Sequence, residues 1–495
     1  MHPPVSRTDS AMEEDTIVEK KSVADWQEKA VGGNVYIDED PLKDEAEQER
    51  KLVKALDRRL LPLFCVFYFT DFLDRANIGN ATIGGIEEDL NLTATQMSTI
   101  ISAFYITYIL FEVPSNIILK RTSAVMWLST IMLVWGVITL IMGFITSFGG
   151  LLAARLVLGA AESGYIPGML YQMSRMYKPG ELSSRIGILI CMACIAGIVS
   201  GPIAYGTSFL EGRNKLHGWQ YLFILEGVPT IVLSIVSYFS LFDTVDQVSW
   251  LTSEQKALQH KRMMDQEQGD GSSSKIGWGT IYKAFADWKT WLFAVVYMTN
   301  AVNFYSFAIF SPMLIDGFGF PVLTSQLLTA PPNVLGAVVM LLSGRATDRL
   351  PNCRAKILVS GFLIMALGYM MLLVLHDRWA LYGSLFIIPV GFALIAPAVL
   401  GWSAVNFEDL SVRAVAVAIV VMVGNTGGVM ASYLYPSTDA PHYGFGNGFN
   451  IICAVLGATV SGFTGYMLCR ENKRRDDLCS KMHEPPQELK YRFYY

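Results

Sequence analysis

Apolar stretches of membrane-crossing length recur along the chain, near residues 59 to 81, 97 to 119, 124 to 147, 151 to 175, 185 to 209 and 219 to 242. After a polar gap they resume near 290 to 314, 324 to 344, 356 to 375, 379 to 401, 414 to 436 and 447 to 468. Each is close to the ~20 apolar residues that a spanning helix needs. The pattern predicts an all-α membrane protein of twelve transmembrane helices in two six-helix pseudo-repeats. It divides into a polar tail (1–58), a first bundle (59–242), a linker (243–289), a second bundle (290–468) and a second tail (469–495).

Composition agrees. Hydrophobic residues make up 52% and charged residues 16% of 495, where a soluble protein carries roughly a quarter charged; an ordinary soluble enzyme is excluded. Net charge is −5, with the basic residues in short clusters, so the basic face of a nucleic-acid binder is missing. The seven cysteines are odd in number and fall mostly in or beside apolar runs, which reads as core thiols rather than a disulfide framework. Residues 1–58 carry no short apolar core behind a basic start, so neither a cleaved signal nor a transit peptide is expected, and the first span serves as the membrane signal.

Basic residues are retained on the cytoplasmic side of membranes. One set of alternate loops holds Lys120, Arg121, Arg175, Lys178, Arg185, the basic residues of the linker, Arg345, Arg349, Arg354, Lys356 and Arg413, whereas the other holds Arg213, Lys215 and Arg378. Both termini are therefore expected to be cytoplasmic. Within the linker, Thr252-Ser253-Glu254-Gln255 is a capping-box pattern before a charged stretch ending in Gly269-Asp270-Gly271-Ser272-Ser273-Ser274, which predicts a solvated helix and a flexible connection. Gly159 to Pro167 matches Gly391 to Pro397, and Gly197 to Gly206 matches the run from Gly424 to Gly428, at an offset of about 230 residues. Two halves in parallel repeat give such an offset, with a site at the midplane between them.

Ionisable groups inside hydrocarbon cost ~2.5 to 3.5 kcal/mol each on insertion scales and mark cavities or partners. The first six spans carry Asp71, Asp74, Arg75, Glu112, Arg155, Glu162 and Glu226, and the interiors of the last six carry none. The second half offers instead Asn300, Asn303, Tyr305, Asn333, Asn425 and Thr426, a neutral hydrogen-bonding wall. Arg155 and Glu162, seven positions apart on a helix, fall within about 20° of one face and ~10.5 Å from each other, flanking one stripe expected to face the cavity. Asp71 and Arg75 are spaced to pair along a helix, leaving Asp74 to point elsewhere. Arginine stays protonated, so Arg75 and Arg155 are fixed positive sites suited to an organic anion, and the carboxylates are the groups that change charge. An anion that takes over a guanidinium leaves its carboxylate unsupported and ready for a proton.

Blander readings stand beside these. Arg155 and Glu162 also suit a helix–helix tether, and Glu112 and Glu226, near span ends, read as structural. Asp71 reads as orienting Arg75 rather than binding substrate. Cys191 and Cys194 read as close packing, Gly444 to Gly448 as a loop, and the aromatic run from Phe304 to Phe310 as packing at least as readily as cavity lining. Asn91-Leu92-Thr93 is a lone glycosylation sequon.

Asp71-Phe72-Leu73-Asp74-Arg75-Ala76-Asn77-Ile78-Gly79-Asn80-Ala81 resembles the first-span signature of the anion:cation symporter family of the major facilitator superfamily, and within it the fungal allantoate permease group. Arg155 to Glu162 with Pro167, Ser200-Gly201-Pro202, and Gly218-Trp219 with Glu226-Gly227-Val228-Pro229 are similar to later motifs of that group. The resemblance spans nearly all of residues 59 to 470. Gly344-Arg345-Ala346-Thr347-Asp348-Arg349 with Arg354 resembles the superfamily's cytoplasmic gate. Glu112-Val113-Pro114-Ser115-Asn116 with Lys120-Arg121 departs from the superfamily consensus and matches the fungal group.

The resemblance implies a major facilitator fold, with Asp74 and Glu162 as proton-coupling carboxylates and Arg75 as a contact to the substrate anion. Arg155 falls where a charge partner lies and Asn425 where a polar substrate contact lies; Tyr105 and Tyr108 match second-span cavity residues more loosely. The substrate-binding set is completed by Asn303 and Tyr305, and the gate by Gly344, Asp348, Arg349, Arg354, Lys120 and Arg121. The family's polar fifth-span residue appears here as Met192, Ala193 or Cys194, which points to a less polar carboxylate: a vitamin acid, a ureide or an amino-acid derivative. The expectation is a monomeric, multi-pass, proton-coupled symporter of a small organic anion working by alternating access, in a fungal plasma membrane, with the bilayer and protons as its partners and no cofactor, metal or enzymatic activity. A proton-antiport exporter of a secondary metabolite and a non-transporting nutrient sensor are the alternatives.

Overall fold

The computed structural model describes residues 41–269, 277–349, 353–407, 409–481 and 492–494. The chain separates into two compact units, Met1–Ala55 and Leu56–Tyr495; the architecture below is that of the second. Among the described residues every regular element is helical. In chain order the helices are α1 Pro41–Ile83, α2 Ile86–Asp89, α3 Ala94–Arg121, α4 Ala124–Met142, α5 Phe148–Glu162, α6 Tyr165–Ser174, α7 Pro179–Ser208 and α8 Gly218–Ser240. There follow α9 Ser253–Gly269 and α10 Trp278–Ala286, then α11 Trp288–Gly317, α12 Val322–Leu328, α13 Ala330–Arg349, α14 Arg354–Val374, α15 Arg378–Ala404, α16 Leu410–Ala431 and α17 Gly444–Cys479.

The expected spans are present with two corrections. The fourth is not one helix: α5 ends at Glu162 and α6 begins at Tyr165, and between them Gly164 lies so close to α3 that a Cβ there would fall on the side chain of Ser115. The eighth is split at Thr329, where Pro331 and Pro332 open α13; proline is tolerated in a first helical turn, whose N–H groups lack intrahelical partners anyway. Among the described residues nine helices are long and apolar enough to cross a membrane, with Val415–Ala431 a shorter apolar stretch. The other two spans of the twelve fall short because Asp71, Asp74 and Arg75 interrupt α1, and Arg155, Glu162 and the break interrupt the fourth.

Local signals act as their chemistry requires. Thr93 caps α3 through a reciprocal box with Gln96 (Thr93 N to Gln96 Oε1 2.9 Å; Gln96 N to Thr93 Oγ1 3.2 Å), so the threonine of the sequon is engaged as a helix cap. Thr252 and Gln255 form the same box before α9 (3.1 and 3.2 Å). Helix α9 is not simply solvated, however. Gln259 and Arg262 are buried, Gln259 Nε2 donates to Met176 O at 2.9 Å, and Arg262 pairs with Glu181 of α7 at 2.7 Å. Of the glycine-serine connection expected over Gly269 to Ser274, Gly269 ends α9 and residues 270 to 274 lie outside the described residues. Helix α10 is a short amphipathic element with Trp278 and Tyr282 exposed (87% and 75%) and Ala284 buried. Gly444 to Gly448, expected as a loop, is instead the first turn of α17; the small residues there let α17 start against Leu434 and Tyr435.

Helix α4 packs on α8, α14 on α15 and α17, and α11 on α16 and α17, while α7 meets α12 and α13, and α3 meets α16, across the two halves. That seam is tight at the end away from the linker. Gly79 of α1 passes so near α11 that a Cβ would land on the carbonyl of Ile309, and one on Gly428 of α16 would strike the ring of Tyr105. Ser102 Oγ and Tyr433 OH close the same seam at 3.0 Å. Toward the linker the halves part around a cavity of about 420 Å³ that reaches Asn116, Ile186, Leu400 and Val417. The central cavity therefore opens on the linker side and is closed off by this seam on the other, beyond which a separate recess of about 520 Å³ lies between the halves at Asn80, Met313 and Tyr443.

Gly428→Val should wedge Tyr105 out of the seam. With Ser102→Cys as reporter, labelling by an impermeant maleimide from the sealed face should rise about fivefold or more, as a shifted two-state equilibrium requires; equal labelling rates with and without the valine would show that this seam is not the seal.

Candidate substrate cavity

Arg75 stands where the cavity ends. Its side chain is 6% exposed, and it lines both the linker-side cavity and a narrow space of about 30 Å³ beyond it. Behind it, Nη2 meets Asp71 at 2.9 Å and Nε meets Glu162 at 3.1 Å. Beside it lie the rings of Tyr108, Phe72 and Phe104, 4.7, 5.1 and 5.6 Å from the guanidinium carbon to the ring centroids. Ring faces attract a cation most when water is excluded. Asp71 reaches Arg75 one turn along α1, as the spacing predicted, whereas Glu162 reaches it from another helix by being the last residue of α5. A helix C-terminus disfavours negative charge, so the carboxylate there depends on the guanidinium.

The remaining charges sit deeper. Asp74 turns away from Arg75, and its Oδ2 accepts from Trp135 Nε1 at 3.0 Å. Trp135 went unnoticed in the sequence; the available signal was a lone tryptophan in mid-span. Arg155 and Glu162 were expected to flank a cavity-facing stripe, but both are buried (2% and 0% exposed) and line neither cavity. Arg75, bonded to Glu162, lines both cavities in their place. Arg155 Nε and Nη2 have no hydrogen-bond partner among the described residues; its electrostatic neighbours are Glu162, Tyr105 and Asp74. Glu226 is likewise buried, with Asn77 and Asp74 as neighbours. Glu112, read as structural, is instead a cavity residue.

Across the cavity, Tyr305 OH points to Asn425 Oδ1 and Asn425 Nδ2 to Glu112 Oε2, each at 3.5 Å. These contacts stand at the long limit of a hydrogen bond, and they link both halves. Tyr108, Tyr305 and Asn425 line the cavity, joined by Tyr68, Tyr297, Asn300 and Phe304. Tyr105 lines the narrow space instead, opposite Asn333. Asn303 does neither: it is fully buried, and its Nδ2 donates to Thr299 O at 2.8 Å, because its helical phase turns it into the packed side of α11. Of the aromatic run, Phe304 and Tyr305 line the cavity, and Phe307 and Phe310 are buried.

Of the gate residues, Arg121 is exposed at the end of α3, and Arg354 donates to Gly401 O at 3.0 Å, joining α14 to α15. A Cβ on Gly344 would meet nothing within 4 Å. The side chains of Lys120, Arg345, Asp348 and Arg349 lie outside the described residues.

A cavity between two six-helix halves, sealed at one end, is a transporter's architecture, and the family model of the Major Facilitator Superfamily matches residues 64–432. The chain belongs to that superfamily. The uncharacterized transporter C11D3.18C of Schizosaccharomyces pombe is 31% identical over 92% of this chain and 91% of its own. The MFS-type transporter cnsO of Penicillium expansum is 30% identical over 96% and 93%, and the major facilitator-type transporter hxnP of Emericella nidulans 30% identical over 90% of each. Among solved structures, an inward-facing, unoccupied bacterial homologue of the human lysosomal transporter Spinster shares the fold with a TM-score of 0.65 at 16% identity, covering 82% of this chain and 96% of its own. The partially occluded, inward-open xylose transporter XylE of E. coli does so with 0.64 at 14%, covering 82% and 97%. The protein is thus a multi-pass membrane transporter that works by alternating access.

Removing one partner of a buried ion pair costs ~3 to 5 kcal/mol, whereas replacing both with apolar groups of similar volume is near neutral. Arg75→Met, which strands both Asp71 and Glu162, should accordingly lower the melting temperature in detergent more than Arg75→Met combined with Asp71→Leu and Glu162→Leu. Equal losses would show that the three charges are not energetically paired.

Proposed function

We propose that this superfamily member is a proton-coupled transporter of a small organic anion. The observation that carries the reading is the placement of Arg75: a permanent positive charge at the end of the cavity, with its counter-charges behind it and its open side toward the space a substrate enters. A carboxylate arriving there takes the guanidinium in the bidentate geometry that arginine favours. Asp71 stays tied to Arg75 along α1, but Glu162, at an unfavourable helix end on another element, loses its support and takes a proton. Asp74, close to the same cluster, is the second proton-coupling carboxylate. Coupling of this kind is typically worth ~1 to 3 kcal/mol, enough to tie occupancy to protonation without locking either.

Tyr108, Tyr305 and Asn425 bind the rest of the substrate, with Tyr105 behind them, and Arg155 keeps the buried carboxylates in balance. The lining is otherwise apolar, with Ile166, Leu170, Ile190, Met340 and Val421, which suits a vitamin acid, a ureide or an amino-acid derivative better than a sugar acid. Lys120, Arg121, Gly344, Asp348, Arg349 and Arg354 form the gate on the linker side. On the bias of basic residues we read that side as cytoplasmic, with both termini inside; the proposal is of inward uptake by a monomer at the plasma membrane.

Acidifying the outer medium should drive accumulation of the substrate in cells expressing the protein; depletion would indicate export by antiport. Glu162→Gln should abolish the pH dependence while substrate exchange persists, and proton-driven uptake continuing unchanged would make Glu162 structural. Arg75→Lys should raise the substrate's KM about tenfold or more, since an ammonium cannot reproduce the fork; an unchanged KM would remove Arg75 from the site.

A further inference from the structure

Residues 492–494, beyond the last helix, lie against the linker-side ends of the second half, where two asparagines read their backbone. Asn472 of α17 donates Nδ2 to Phe493 O at 2.7 Å and accepts from Phe493 N at 2.9 Å. Asn406, just past the end of α15, does the same to Tyr494, donating at 3.1 Å and accepting at 3.0 Å. Trp402 Nε1 adds a third donor to the Tyr494 carbonyl at 2.7 Å. An amide that meets both the N–H and the C=O of one residue imitates the edge of a neighbouring β-strand, and recognition by that edge is independent of the side chains read.

Selectivity comes from the ring of Phe493, which is buried with Lys289 Nζ and Arg475 Cζ 4.5 and 4.4 Å from its centroid. Two cations around one ring make it an aromatic-selective slot. Lys289 in turn donates to Asn406 O at 3.0 Å, and Arg354 of the gate lies 5.7 Å from the Tyr494 ring. Asn406 and Asn472 are themselves buried (0% and 8% exposed). This is a built site: without an occupant its amides would lose the partners they now have, at a cost that buried polar groups do not bear lightly.

We propose that Asn406, Asn472, Trp402, Lys289 and Arg475 form a peptide-binding site for an extended segment with one aromatic side chain, that its occupant is the chain's own Arg492-Phe493-Tyr494, and that occupancy holds the transporter open on the linker side. The segment joins the ends of α11, α14, α15 and α17. Helix α15 carries Leu400 on the cavity wall, and closing the linker side requires that end to move. With the segment bound, the four ends move as one block, and with it released, α15 is free to close.

The test uses the full-length chain in sealed vesicles, with Ala418→Cys as a cavity reporter alkylated from the linker side by an impermeant maleimide. Phe493→Ala should free the backbone around Arg492, whose side chain is already 38% exposed, for faster tryptic cleavage and slow alkylation about threefold or more, the population shift expected when one state loses a stabilising contact. The capped peptide Arg-Phe-Tyr, added in excess, should restore the rate. Asn406→Asp with Asn472→Asp, which keeps shape but cannot donate to the two carbonyls, should show the same slowing without rescue by the peptide. The proposal is overturned if trypsin cuts faster at Arg492 while the alkylation rate stays at its original value, and equally if Phe493→Ala leaves the rate of that cleavage unchanged.

Discussion

A guanidinium that cannot shed its proton, enclosed by helices, governs this molecule. Charge inside hydrocarbon persists when it is paired or faces water, and Arg75 meets both conditions, with Asp71 and Glu162 on one side and the cavity on the other. Much of the first half is arranged around that need. Helix α5 ends at Glu162, whose carboxylate reaches Arg75 from a second helix, Gly164 lets α3 pack close beside it, and Trp135 holds Asp74 away from Arg75.

The second half contributes in a different way. Among the described residues it brings no charge to the cavity, but Tyr297, Asn300, Tyr305, Asn425 and apolar side chains, and Asn425 reaches across to Glu112. The cavity is thus read by charge on one wall and by hydrogen bonds on the other, with one thin polar contact between them. Among the described residues the halves meet at the opposite end through glycine contacts, the Ser102–Tyr433 hydroxyl pair and the Glu87–Ser437 contact, so opening there has few strong bonds to break.

The spans were legible because twenty-residue apolar runs have few other uses, and the Asp71–Arg75 pair because helical spacing fixes which residues share a face. Helical phase also placed Arg155 and Glu162 on one face of α5, yet it could not say what meets that face; Arg75, from another helix, meets Glu162 there. Asn303 failed for the same reason, its phase turning it inward although its type suits a ligand. Glu112 looked peripheral by its position near a span end, but α3 runs beside the cavity at that depth. The docking of α9 rests on Gln259 and Arg262, two polar residues whose burial no hydropathy pattern reveals, and the asparagine contacts to residues 493 and 494 join positions too far apart in sequence for spacing to suggest.

Helix α10 gives the connection between the halves a property of its own. Its tryptophan and tyrosine project outward from a short amphipathic helix, and such rings settle at the level of lipid headgroups. A connection of that character suits the headgroup level, and one seated there would act less like a slack tether than like a float.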